Sequence, residues 1–165
     1  MKQLAAACSK TTAARSYDQL TVAQHQLEGA IANLFLGNWP TAITLAGAAE
    51  EILPEHQTYK SLIEVAKADF AKKHNMKSNE IANIMNKQRN WLKHDKSSDP
   101  NAESNMDFSQ EDAIIMIVRA LTKLKAHHAP FDENEALSGH VLVFEDWCKS
   151  NYPEYSVTKY YRQQL

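Results

Sequence analysis

Residues 16–54 read SYDQLTVAQHQLEGAIANLFLGNWPTAITLAGAAEEILP, and their punctuation decides the fold. Val22, Leu27, Ala30, Ile31 and Leu34 recur at helical spacing, which predicts a helix from about Ser16 to Leu36 with one apolar face. Gly37 is a stop signal, and Asn38-Trp39-Pro40 makes a tight turn. Pro40 or Thr41 opens a second helix, because proline's fixed φ suits a first helical turn and its missing N–H has no partner to lose there. This helix runs through Leu45 and Ala49 to about Leu53, and Pro54 ends it. Long helices joined by short turns fold back as antiparallel neighbours, so the expected architecture is an all-α, antiparallel bundle.

The rest of the chain repeats the pattern. A third helix is expected over about Tyr59 to Lys73, with Leu62, Ile63, Ala66 and Phe70 as its apolar face, and a fourth from a Ser78 or Asn79 cap to about His94. Lys96 to Met106 is polar, contains Pro100 and reads as an exposed loop. Ser109 caps a fifth helix, Gln110 to His127, whose first turn holds Glu111 and Asp112 against the positive end of the dipole. Pro130 interrupts again. A sixth helix covers about Glu135 to Asn151, with Leu137, Val141, Phe144, Trp147 and Cys148 on one side, and Ser156 to Leu165 is expected as a short seventh. The count is therefore about six main helices and no strand.

Composition sets the outer limits. At 165 residues and 44% hydrophobic, the chain can bury a core, and it is read as one helical domain over residues 16–165 preceded by a flexible N-terminus, residues 1–15. No apolar run approaches the roughly 18 residues of a membrane span. Met1 to Cys8, MKQLAAAC, has an apolar part shorter than the roughly 7–15 residues of an export signal core. Cys8 and Cys148 stand far apart in no metal-type spacing, which fits a reducing cytoplasm without a disulfide framework. Cys148 sits on the apolar face of its helix and reads as a small core residue.

A net charge of −2 argues against a general nucleic-acid coat, but the charge is unevenly placed. From Lys60 to Lys96 nine Lys/Arg oppose four Asp/Glu; from Ser97 to Glu154 four oppose eleven. The basic stretch is either a solvated face or a region that attracts phosphate. Within the second helix, Gly47 costs about 1 kcal/mol relative to Ala, which implies close approach of a neighbouring helix. The adjacent Glu50 and Glu51 are either a paired-carboxylate site or a polar edge.

The fourth helix falls inside the basic stretch. On a wheel, Ile84, Met85, Gln88, Trp91 and Leu92 lie within about 80° of Ile81 and form its core stripe. Asn83, Asn86, Asn90 and His94 lie opposite, at about 140–220°, and Arg89 lies on the flank at about 80°. Asn is a poor helix former, so an asparagine stripe is costly for a merely solvated face. It is either a surface that pairs or holds a polar ligand, or an ordinary polar face.

Arg89-Asn90, three further residues and His94 resemble the signature of the HEPN superfamily of helical bundles. In that motif an Arg, followed by a polar residue such as Asn, Asp or His, precedes a His with four to six residues between them, toward the end of a late helix; here four intervene. The Ala-rich Leu45 to Leu53 helix is similar in style to the second helix of such proteins, and the resemblance spans about residues 16–128. It implies a metal-independent endoribonuclease that needs no cofactor and acts as a homodimer through the face of the 78–94 helix. His94 would be the general acid/base and Arg89 the phosphate stabiliser. Asn90 would orient His94 or the substrate, with Lys93 as an auxiliary cation. Asn86, Asn83 and Glu50 complete the candidate binding residues.

Arg89 and His94 point about 140° apart on one helix, which is why two motifs facing each other across a two-fold axis are expected. Such an enzyme fits a cytoplasmic toxin or defence component restrained by an inhibitory partner protein. Two rival readings use the same residues: a non-catalytic dimerisation or nucleotide-binding module, and a plain bundle in which the motif is accidental. No His-Glu-x-x-His, phosphate-cradling Gly loop or serine elbow is present. His127-His128 at a helix end reads as a cap. Trp39, Trp91 and Trp147 read as core or interface anchors.

Overall fold

The computed structural model describes residues 15–56, 62–74, 76–93, 104–127 and 138–155. It contains α1 (Gln19–Phe35), α2 (Trp39–Ile52), α3 (Leu62–His74), α4 (Ser78–Met85), α5 (Lys87–Lys93), α6 (Gln110–His127) and α7 (Gly139–Asn151), followed by a 3₁₀ turn at Pro153–Tyr155. With α4 and α5 taken as one interrupted helix, six helices pack together, and there is no strand among the described residues. No helix there is long and apolar enough to cross a membrane. The expected flexible N-terminus up to residue 14, His94, the core of the 96–106 loop and the tail helix after residue 155 lie outside the described residues.

The α1–α2 hairpin forms as its punctuation dictates. Asp18 is the N-cap of α1, its carboxylate accepting the Thr21 N–H at 2.7 Å. That bond holds the Asp18 carboxyl below its usual range. At the other end Gly37 takes φ 73°, and the Asn38 N–H reaches the Asn33 carbonyl at 2.9 Å while the Gly37 N–H reaches Leu34 at 3.0 Å. This pair of bonds is a Schellman closure, which needs a left-handed residue where Gly37 stands. Pro40 lies in the first turn of α2 and Leu53 leaves it in extended conformation ahead of Pro54. Ala23, Leu27, Ala30, Ile31 and Leu34 of α1 are buried against Ala42, Ile43, Ala46 and Ala49 of α2.

The centre of the bundle is α6. From Ala113 to Leu124 every residue except Ile115 is buried, so this helix has no solvated face along its middle two turns. Both α1 and α2 pack on it, α7 lies against α1, and α3 touches α4 and α6. Cys148 is in the core beside Val141 and Phe144. Burial, with the charges of Glu154 and Glu145, pushes its thiol up to about 11. Trp147 packs on Phe35 and Tyr152, Trp39 lies against the core and Trp91 meets Phe108 edge-on at 5.9 Å.

The fourth predicted helix is corrected in two ways. It breaks at Asn86, which adopts φ −110° and ψ 10°. The turn carries Asn86 to a partly buried position instead of facing out with Asn83, and Ile84 is 61% exposed at the mouth of an open cavity instead of joining the core with Ile81. His127 also departs from expectation: its Nε2 meets the Pro54 carbonyl at 2.8 Å, bridging to the end of α2.

Candidate functional site

The break at Asn86 has a cause in α6. Arg119 stands in the run Ala113 to Leu121, otherwise entirely apolar, and is only 2% exposed. A guanidinium placed there must find partners or carry a heavy desolvation penalty. It finds them on two elements. Its Nε and Nη2 grip the Glu50 carboxylate of α2 at 3.1 and 2.8 Å. Its Nη1 donates to the Met85 carbonyl at 3.1 Å and its Nη2 to Asn86 Oδ1 at 2.9 Å. Arg119 thus takes over a backbone acceptor at the end of α4 and pulls the Asn86 side chain inward. Local sequence cannot reveal a kink whose cause lies 33 residues away.

Arg89 reaches the same carboxylate from α5. Its Nη1 lies 3.3 Å from Glu50 Oε2 and its Nη2 3.0 Å from Glu51 Oε1. Lys93, one turn further along α5, pairs with the other oxygen of Glu51. Two carboxylates and three cations therefore form one cluster between α2, α5 and α6. It is graded in depth: the side chains of Arg119 and Glu50 are 2% and 8% exposed, Arg89 14%, Lys93 32% and Glu51 46%.

Gly47 is what lets Arg89 in. A Cβ at Gly47 would stand 2.6 Å from Arg89 Cδ and 3.0 Å from its Cγ. The close approach expected of this mid-helix glycine is made by the stem of an arginine, not by a helix backbone. The Nε of Arg89 is buried with no hydrogen-bond partner among the described residues.

The structure thus gathers Arg89, Lys93, Glu50 and Asn86 of the predicted set into one cluster. Asn90 is half-buried on α5 and Asn83 is exposed on α4, outside it. His94 follows Lys93 directly but lies outside the described residues. Three members lie outside the candidate residues that the sequence singles out: Arg119, Glu51 and the Met85 carbonyl. A signal for Arg119 existed, since one arginine in a helix apolar on every side requires a buried acid. Glu51 was noted beside Glu50 but only as half of an undecided pair.

Beside the cluster, Arg89 and Gln88 form one wall of a largely apolar cavity of about 630 Å³ bounded by Ile81, Ile84, Met85 and Met116. Gln88 bridges its rim to α6 by donating to Asp112 at 3.1 Å. Tyr155 closes another edge through a hydrogen bond to Glu111. That bond, followed by burial, pushes the Tyr155 phenol up to about 12. Among the described residues no group of three or more His, Cys, Asp or Glu is placed to hold a metal ion. Compared with known proteins, the chain matches no family model, no curated protein and no solved structure, so the HEPN resemblance rests on its motif alone.

Proposed function

We propose that the chain is a HEPN-like endoribonuclease that cleaves RNA without a metal ion, its site completed by a second copy across the α4–α5 face. The observation that carries this reading is the paired presentation of Arg89 and Lys93 on one carboxylate, one turn apart on the helix that leads into His94. Two cations that converge on a two-oxygen anion are suited to a phosphodiester, on which charge grows during attack. The buried Glu50–Arg119 pair fixes the Arg89 end of that arrangement, and fixed donors stabilise developing charge better than donors that must reorganise.

In the reaction, a 2′-oxygen bonds to the adjacent phosphorus and the bond from phosphorus to the 5′-oxygen breaks. His94 takes the 2′ proton, and the 5′-oxygen leaves with a proton from the facing copy's His94. Arg89 and Lys93 neutralise the non-bridging oxygens. The test is cleavage of single-stranded RNA in EDTA by the wild type, His94→Ala and Arg89→Ala. Strong loss in both variants is expected; equal cleavage by all three, or by none, rejects the assignment.

A non-catalytic dimerisation or nucleotide-binding module is the second reading. What favours it is that Glu50 and Glu51 already fill the Arg89 fork, as they would around a structural arginine. Absence of cleavage together with dimerisation abolished by Ile84→Asp, on the exposed face of α4, would support it.

A further inference from the structure

The two carboxylates around Arg89 differ in how firmly they are held. Glu50 is locked: both oxygens are gripped by Arg119, and its side chain is 8% exposed. Glu51 is half in water, at 46%, and pairs with Arg89 Nη2 through one oxygen and Lys93 Nζ through the other. Arg89 and Lys93 are four residues apart, so their charged ends sit on one side of α5. Among the described residues, Arg89 thus meets one oxygen of this anion and Lys93 the other, which is also how a phosphate group is held by an arginine fork and a lysine.

We infer that Glu51 is an internal stand-in for a phosphate group: it occupies the anion subsite formed by Arg89 and Lys93, and a phosphodiester binds there by displacing it. The inference rests on the ribonuclease reading for the identity of the anion. Displacement is easy on one side only. A half-exposed carboxylate that swings out regains its water, and exposed ion pairs are weakly held. Glu50 cannot follow, because leaving would strand Arg119 in the core. When Glu51 leaves, Arg89 therefore stays tethered through Nη1 to Glu50 while its Nη2 turns to the incoming anion. The chain so described is self-restrained, its phosphate subsite filled until a stronger anion arrives.

The test compares the full-length wild type, Glu51→Gln, Arg89→Ala, the double variant, and Glu64→Gln as a control for removal of one negative charge elsewhere. One probe is a fluorescent 2′-O-methyl oligoribonucleotide, which lacks the attacking hydroxyl and so reports binding without cleavage. The other is inorganic tripolyphosphate, followed by its effect on thermal unfolding. Glu51→Gln should bind both probes roughly five-fold more tightly, the gain expected from removing a weak competing ion pair. The gain should vanish without Arg89, and Glu64→Gln should match the wild type. Unchanged affinity in Glu51→Gln, or an equal gain in the Arg89→Ala background, overturns the inference. If tripolyphosphate follows the pattern but RNA is never cleaved, the subsite stands and the ribonuclease reading falls. If cleavage depends on Arg89 and His94 while Glu51→Gln changes nothing, the reverse holds. If no variant binds either probe, both fall.

Discussion

Replacing Gly47 with alanine tests whether Arg89 is held where the cluster places it. In an ordinary helix interior the change stabilises by about 1 kcal/mol. Here the new Cβ meets Arg89 Cδ at 2.6 Å and Cγ at 3.0 Å. Those atoms are mid-stem, and the guanidinium beyond them is anchored to Glu50 and Glu51, so the side chain cannot swing clear without giving up an ion pair. Overpacking of this kind costs about 1–3 kcal/mol. The two effects leave Gly47→Ala between neutral and about 2 kcal/mol destabilising. With Arg89→Ala already present the obstruction is gone, and Gly47→Ala should stabilise by about 1 kcal/mol. The double-mutant cycle then gives a coupling of about 1–3 kcal/mol. Urea unfolding measures it through the shift of the midpoint, provided the slope is unchanged among the four proteins. A coupling within about 0.5 kcal/mol of zero would refute the packing of Arg89 on Gly47.

Three further outcomes follow from the same geometry. Arg119→Met leaves Glu50 buried with only the 3.3 Å contact from Arg89; breaking a buried pair costs about 3–5 kcal/mol, which for a chain of this size lowers the midpoint of a calorimetric melt by about 6–20 °C. A drop of only a degree or two would show that the pair is not buried in solution. With its phenol pushed up to about 12, Tyr155 contributes stability that is complete below the ordinary tyrosine value of 10.0 and fades as pH rises toward 12; in an absorbance titration one of the six tyrosines should ionise late and return toward 10 in Glu111→Gln, and a titration identical in both proteins would contradict the Glu111 contact. In a Cys8→Ser chain at pH 8, Cys148 should react with iodoacetamide at least about 100-fold more slowly than a free thiol, because so little of it is thiolate; a rate near that of free cysteine would place it outside the core.

The parts of the fold that sequence made legible are those with local causes. The span of α6, Gln110 to His127, was readable to the residue because Ser109, Glu111 and Asp112 mark its start and the apolar run carries it onward. The α1–α2 hairpin was readable from Gly37, Pro40 and Pro54, each of which acts on its own backbone. What was not legible had distant causes. Asn86 looks like any helical asparagine until Arg119 arrives from α6 to claim it and the carbonyl before it. Ile84 fits the apolar period and is nonetheless exposed, because it faces an open cavity beside Ile81 and Met85 that no described element fills, and local sequence carries no sign of such a gap. Candidate residues Arg89, Lys93 and Glu50 were found by residue type and spacing, but their mutual pairing was not, since pairing across 39 residues depends on how α2 and α5 are set against each other.

The position of Arg119 also bears on how the chain reaches this fold. Its contacts join segments 69 and 33–34 residues apart, whereas α1 and α2 meet across a three-residue turn. Closing the distant contacts costs more chain entropy than closing the hairpin, and the cluster locks only when all three elements meet. Until it locks, a guanidinium stands in an apolar helix with nothing to neutralise it. If α6 slid by one residue against α2, Arg119 would be carried off Glu50 into hydrocarbon, a costly error. The buried charge therefore penalises misaligned packings of a helix whose even, apolar surface would otherwise tolerate several. Sliding out of the native alignment would strip Arg119 of Glu50 while it is still in the core, so the cluster raises the free-energy cost of any shift of α6 along α2.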